Sequence, residues 1–270
     1  KQDCYNPLQF IHKISDVLDL AKILIPIPPA IKETYFKTTA QNILASACWE
    51  FKESMSFSAV AEWLCDTQSS EIVEQLQKSE KRETRMLINA VDNIKTEQLA
   101  SVMNELRNTM IPYAVDEQLR YITGSNGVLL SDIETNWIYI ELEENKLEVY
   151  NAFLALVISQ FVKYLASRKE YQEPRILLAL DEFSRIGKME LLVDSIATLG
   201  GRGVTTMILF QSLAQLDKVY GSDSRKIIMD NIHYTLVHNA TDTDSQKYFS
   251  DRAGTKTSIV QSMSRDNDRW

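Results

Sequence analysis

Residues 176–183 read ILLALDEF: five apolar residues followed by two consecutive carboxylates, Asp181 and Glu182. Apolar side chains at successive rather than alternate positions suit a strand buried on both faces, as in a parallel sheet covered by helices. In open α/β sheets, ligands sit just beyond the carboxyl ends of the strands, which is where the two acids fall. A second apolar run, 204–211 (VTTMILFQ), follows after the amphipathic stretch 188–199 (KMELLVDSIATL) and carries a side-chain amide, Gln211, toward the same edge.

Strand, two acids, one helix, strand, amide is the order of a RecA-like P-loop NTPase core. There the first acid orders Mg²⁺ through water and the second activates the attacking water, so Asp181 fits the metal-ordering role and Glu182 the catalytic one. Gln211 fits the polar residue that senses the γ-phosphate of ATP. Between helix and strand lies Gly200-Gly201-Arg202-Gly203, where glycines let a helix stop and the chain turn back. Arg202, in a flexible turn of this kind, is placed to act on a neighbouring subunit's nucleotide as an arginine finger. Blander readings stand beside these: two solvated acids at a strand end, a glutamine that caps the next helix or bonds a loop carbonyl, a solvated turn arginine.

One part is missing from the 270 residues. A phosphate loop needs G-x-x-x-x-G-K-S/T, because glycines let backbone N–H groups wrap the phosphate oxygens. The sole Gly-Lys pair is Gly187-Lys188; Met189 follows it, and Glu182 stands where the first glycine belongs. The chain thus carries half an ATP site, and alone it is expected to be inactive.

Texture divides the chain. No glycine precedes Gly124, and all eight lie between it and Gly254. Apolar residues recur at helical spacing over 14–25, 31–51, 57–65, 71–77, 84–91 and 96–110, with prolines at 26, 28, 29 and 112 as punctuation. We therefore expect an all-helical domain at 27–118, inserted into an α/β domain formed by 1–26 and 119–270. Within the latter, 147–167 reads as a helix, 227–232 as helical, and 137–141 (WIYIE) and 234–238 (YTLVH) as strands.

The totals agree with a globular protein: 44% hydrophobic, 24% charged, net charge -8. Residues 1–175 hold 18 Lys/Arg against 25 Asp/Glu, and the remainder 11 against 12. An acidic first part favours a basic or polar protein partner over a DNA backbone. Cys4, Cys48 and Cys65 lack metal-ligand spacing and read as reduced, cytosolic thiols. The longest apolar run, 149–162, is shorter than the ~20 residues that span a bilayer and contains Asn151, Ser159 and Gln160. It reads as a buried helix; no charged n-region followed by an apolar h-region opens the chain, so no signal peptide is expected there, and a start on Lys1 rather than Met suggests a chain that begins mid-protein.

Four blocks taken together resemble a known family: DEF-x-x-x-GKM (181–189), FQS-x-x-QL (210–216), DN-x-H (230–233) and KYFS…GTKT (247–257). In that order they are similar to the nucleotide-binding region of type IV secretion coupling proteins, the TraG-like conjugative ATPases. Residues 4–8 (CYNPL) resemble the family's stretch between its phosphate loop and its helical insert.

The resemblance implies ATP and Mg²⁺ as cofactors, with Asp181 and Glu182 as the Walker B acids and Gln211 as the glutamine after the following strand. The family often has Arg-Gly-x-Gly where this chain has Gly-Gly-Arg-Gly, so its arginine stands two places later. It further implies a membrane-anchored, hexameric DNA translocase on the cytoplasmic side of the bacterial cell membrane. Relaxase–DNA complexes or effector proteins would meet the helical domain, with DNA in the assembled ring and other secretion-channel subunits as partners. Two alternatives remain at this point: a non-enzymatic substrate adaptor on a degenerate core, or another RecA-like DNA translocase.

Overall fold

The computed structural model describes residues 3–28, 34–92 and 94–255. The chain divides into two compact units, 1–208 and 209–270.

The first unit begins with α1 (Ile14–Leu24), α2 (Tyr35–Phe51), α3 (Phe57–Asp66), α4 (Ser69–Gln77), α5 (Arg82–Ile88), α6 (Thr96–Val115) and α7 (Glu117–Thr123). The periodicity argument holds for α1 to α6, and α3 shows why. The Ser56 hydroxyl accepts the Ala59 amide at 3.3 Å, satisfying an orphan donor of the first turn. Phe57, Val60, Ala61 and Leu64, at helical spacing, are all fully buried. Burying side chains like Phe57 and Leu64 contributes about 1.5–3 kcal/mol each. Residues 31–33, expected to open α2, lie outside the described residues.

Pro112 does not close the helical set. It sits inside α6, which runs on to Val115 with the Asp116 amide bonded to the Pro112 carbonyl at 3.0 Å. Proline removes one donor, but buried Tyr113, edge-on to the Phe57 ring at 4.9 Å, keeps the last turn packed. The short helix α7, capped by Asp116 on the Leu119 amide, was not expected.

α1 to α7 share one hydrophobic core with α8 (Leu147–Ala166): Tyr5, Val17, Leu44, Phe57, Leu106, Phe153 and Phe161 belong to the same cluster. The N-terminal segment is stitched to the helices' exit, with Tyr5 N bonded to Ile122 O at 2.7 Å and Val128 N to Cys4 O at 2.9 Å. Asn6, 5% exposed, accepts the Leu8 and Phe57 amides on one oxygen. α8 is long and apolar enough to cross a membrane, yet over half of its most apolar window is buried, and its Tyr150, Leu156 and Val157 also lie in the core.

After α8 come β1 (Ile176–Leu180), α9 (Glu190–Leu199) and β2 (Val204–Ile208). The strands are parallel, pairing Ile176 with Val204 through to Leu180 with Ile208. α9 packs on β2, and Ile176 and Val204 are buried. The expectation of cover on both faces is not met: Leu177 and Met207 point the other way and are 55% and 48% exposed. Residues 137–141 form no strand either. They have no ladder partner among the described residues, and Trp137 and Tyr139 are exposed with their rings stacked at 6.4 Å.

The second unit contains α10 (Leu213–Tyr220), α11 (Ser222–Asp230) and α12 (Thr243–Ala253). The Ser245 hydroxyl accepts the Leu213 amide at 3.2 Å, tying α12 to the start of α10. Arg225 bridges Asp217 at 2.7 Å and lies over the Tyr248 ring. Residues 234–238, expected as a strand, are irregular, with Tyr234 and Leu236 almost fully exposed. The helix read at 227–232 is the end of α11 and stops at Asp230.

Candidate functional site

β1 ends at Leu180, and the next two residues are the acids. Asp181 is exposed, and its Oδ1 accepts the Glu182 amide at 2.9 Å. Glu182 adopts φ 48°, ψ 42°, the left-handed region, which a non-glycine residue enters at a cost of roughly 1 kcal/mol or more. Its carbonyl accepts the Arg185 amide at 2.7 Å, opening a 3₁₀ turn over Phe183–Arg185.

Phe183 explains how the strain is held. Its ring is fully buried and pegs the turn to the interior while Asp181 remains outside. The DEF triplet therefore works as a unit: strand end, left-handed corner, apolar anchor.

Gly187, at φ 93°, continues the turn. A Cβ there would stand 3.5 Å from the side-chain nitrogen of Asn151 on α8, so the backbone passes close to that amide. Asn151 was read only as a polar interruption of an apolar helix. Its buried Oδ1 has no hydrogen-bond partner among the described residues. Lys188 ion-pairs with Glu190 at 2.8 Å, a local contact at the start of α9 and unlike a phosphate-loop lysine.

Arg202 stands elsewhere. It precedes β2, so in a parallel pair it lies at the amino-terminal end of the sheet, whereas Asp181 and Glu182 lie at the carboxyl end of β1. Five residues of strand separate the two ends by on the order of 15 Å. The structure does not bring Arg202 to the acids of its own chain. Nor is its turn the flexible one expected: the Arg202 guanidinium donates to the Arg168 carbonyl, and Arg168 donates back to the Arg202 carbonyl at 2.8 Å.

Gln211 belongs to the second unit, beyond the end of β2. The cap of α10 is Ser212, whose hydroxyl accepts the Gln215 amide at 3.3 Å. Gln211 is exposed, and its Oε1 accepts from the Gln215 side chain at 3.1 Å. The capping alternative for Gln211 is thereby removed.

Among the described residues, no group of three or more His, Cys, Asp or Glu side chains could hold a metal ion. A lone exposed carboxylate at a strand end suits a cation that keeps its waters and takes its other ligands from a phosphate. Of the KYFS…GTKT block, Tyr248 and Phe249 lie on α12, while residues 256 and 257 fall outside the described residues.

Residues 1–269 match a protein family described as type IV secretory system conjugative DNA transfer. Among curated proteins, the chain is 23% identical over 197 residues to protein VirD4 of Agrobacterium fabrum, covering 72% of this chain and 30% of that one. It is 30% identical over 137 residues to conjugal transfer protein TraG of Rhizobium radiobacter, covering 50% and 21%. Among solved structures, the unbound bacterial conjugative coupling protein TrwBΔN70 superposes with a TM-score of 0.68 at 13% identity, covering 86% of this chain and 53% of that one. Plasmid coupling protein TrwB in complex with ADP and Mg²⁺ gives 0.65 at 14% identity, covering 85% and 54%. The fold is therefore the RecA-like one of those proteins, mostly helical with a small parallel sheet. The chain spans under a third of the curated relatives' length and about half that of the solved structures.

Proposed function

Because the chain belongs to the type IV secretory system conjugative DNA transfer family, we propose that it is the motor region of a coupling protein, an ATPase that passes DNA with its bound proteins to a transfer channel. The observation that carries this reading is the Asp181–Glu182 corner: two acids at a parallel strand's carboxyl end, the second held in a strained left-handed conformation by the buried Phe183. Strain of this kind, where a neighbouring peg over-determines it, is a mark of functional turns.

Bound Mg²⁺–ATP supplies a polarised γ-phosphate. Asp181 is the residue that would hold the cation, through water. Glu182 would accept the proton of the attacking water, and Gln211, by its type and its order after the strand, would serve as the residue that senses the γ-phosphate. Arg202, at the far end of the sheet, serves a second copy's site, which implies a closed ring, a hexamer in the family's pattern. The complex of TrwB with ADP and Mg²⁺ supports the cofactor assignment, and the absence of G-x-x-x-x-G-K-S/T from these residues implies that this chain alone does not turn over ATP.

Residues 27–118 form the inserted helical domain of this proposal, with 1–26 and 119–270 as the nucleotide-binding part. The insert carries 9 Lys/Arg against 14 Asp/Glu and offers acidic helix faces to a relaxase or effector protein. Other channel subunits and DNA are met by the assembled ring at the cytoplasmic side of the cell membrane.

The test is Asp181→Asn in the full-length protein. Mg²⁺-dependent ATPase activity should fall by roughly 10²-fold or more, and the 270-residue chain should show none. Full activity in the variant, or Asp181-dependent turnover by the isolated chain, would contradict the proposal.

A further inference from the structure

Arg168, two residues past the end of α8, carries a guanidinium that is 1% exposed. Its Nε and Nη2 donate to the two carboxylate oxygens of Glu134, each at 2.9 Å. Nη1 donates to the Arg202 carbonyl at 2.8 Å, and Nη2 also to the Pro174 carbonyl at 2.6 Å. The Tyr164 hydroxyl adds a bond to Glu134 at 3.2 Å.

A buried ion pair of this sort contributes little net stability, since desolvation offsets the attraction, and an apolar pair of equal volume would serve a core as well. What it supplies is geometry. A bidentate carboxylate fixes the plane of the guanidinium, and the fixed plane aims its remaining donors at two backbone carbonyls. One of those carbonyls belongs to Arg202.

The rest of the loop is held to match. Tyr171 N bonds to Gly201 O at 2.8 Å, Gly203 N to Gly200 O at 3.2 Å, and Ile176 N to Gly203 O at 2.9 Å. Gly203 has φ 76°, and a Cβ there would stand 2.5 Å from the Gln172 carbonyl and 3.3 Å from Arg168 Nη1. Only glycine lets the loop press so closely on the Arg168 guanidinium. By contrast, Gly200 and Gly201 face open space, so the loop is pinned on its inner side and bare on its outer one.

We infer that Arg168, clamped by Glu134, is the positioning residue of the Gly200–Gly203 loop and sets how Arg202 is presented to a neighbouring copy's nucleotide. The inference rests on Arg202 acting between subunits. Arg168 touches no nucleotide in this scheme; it acts through Arg202. A displacement of about 1 Å in a group acting on a transition state costs up to ~10²-fold in rate.

The experiment uses the full-length protein and four variants: Arg202→Ala, Glu134→Gln, Arg168→Lys, and Glu134→Gln combined with Arg202→Ala. Steady-state ATPase kinetics are read with hydrogen exchange of the 200–203 amides. Arg202→Ala should lower kcat by roughly 10³-fold or more. Glu134→Gln keeps the side chain's shape and should lower kcat about tenfold with KM unchanged, while exchange at 200–203 rises and the helical core stays protected. In the Arg202→Ala background Glu134→Gln should cost nothing further. Arg168→Lys should follow Glu134→Gln, and if it fails to fold the isosteric variant decides alone. If Arg202→Ala retains its kcat, both the interfacial role of Arg202 and this inference fall. If Arg202→Ala loses kcat but Glu134→Gln keeps it, or its loss adds in full to that of Arg202→Ala, the positioning role is wrong and the proposed motor stands.

Discussion

Lys163 on α8 reaches two carboxylates of α1, donating to Asp16 Oδ1 and Asp19 Oδ2 at 2.8 Å each. The other oxygen of Asp16 accepts the backbone amides of His12 and Lys13, at 2.9 and 2.8 Å. One residue thus caps the start of α1 and ties it to the helix that precedes β1. Burial alone would raise the Asp16 carboxyl, but the Lys163 ammonium and the two amides outweigh it and hold it below its ordinary value. Burial works to lower Lys163, and its bonds to Asp16 and Asp19 reverse that and raise it.

These shifts set a pH window. A carboxylate whose folded value is depressed contributes stability above the ordinary aspartate value of about 3.9 and loses it as pH falls through the folded value. A lysine whose folded value is raised contributes fully below about 10.4 and loses that contribution only above it. Asp16→Asn should therefore lower Tm at neutral pH by no more than about 3 °C, as suits a partly exposed pair. The gap between variant and parent should close as pH drops below about 4. Thermal melts across pH 3 to 8, on the order of the window just given, check this; a gap that widens in acid contradicts it.

Cysteine reactivity gives a second test. Cys48 is fully buried in α2, and burial pushes its thiol well up, out of the reactive range. Cys4 and Cys65 are partly exposed. A thiol reagent at neutral pH should label those two in the native chain and Cys48 only after denaturant is added. Native labelling of Cys48 at a rate matching the others would show that α2 opens readily.

Two glycines offer a matched pair. A Cβ at Gly127 would stand 2.2 Å from the backbone oxygen of Cys4, in the stitch between the N-terminal segment and the helices' exit. A Cβ at Gly200 meets nothing within 4 Å, and φ there is -57°. Gly127→Ala should cost about 2 kcal/mol or more because backbone must move, whereas Gly200→Ala should be neutral or stabilising by up to about 1 kcal/mol. Chemical denaturation of both variants reads the difference, and equal midpoints would refute it.

Much of this was legible in the chain itself, for physical reasons that also mark where legibility ends. Helices α1, α3 and α8 are fixed by local spacing of apolar residues, and β1 by a continuous apolar run ending in acids. Residues 137–141 and 234–238 have strand-forming composition but no ladder, because a strand needs a partner and composition encodes only the preference. Cover on both faces of the sheet failed for a similar reason, since the run at 176–180 shows affinity for burial and not what supplies it. α12 was missed because TDSQKYFSDRA carries little apolar signal, although Asp242, bonded to the Ser245 amide at 2.8 Å, is a capping residue that marks its start. The roles proposed for Asp181, Glu182, Gln211 and Arg202 were read from residue type and order. The left-handed corner at Glu182 and the Arg168–Glu134 clamp were not, since backbone strain and a contact across 34 residues leave no trace in local pattern.

The helical insert gives a prediction about partners. Because its core continues into α1 and α8, it should be tested within the whole 270-residue chain and not as an excised segment. That chain should retain a basic relaxase or effector protein, less so as salt rises past the ~10 Å screening length at 0.1 M. It should bind plain duplex DNA poorly, because its acidic surface repels phosphates. Tight, salt-sensitive binding to DNA with no protein partner would move substrate choice away from the insert.

The motor proposed here depends on Glu182 acting as the base that activates water for ATP hydrolysis. The most direct measurement compares nucleotide affinity and turnover in the full-length protein with Glu182→Gln. A base acts on the chemical step, so turnover should fall by ~10²-fold or more while the Kd for ATP stays where it was. Lost affinity with turnover retained at saturating nucleotide would contradict the account and leave Glu182 as a structural or metal-holding residue.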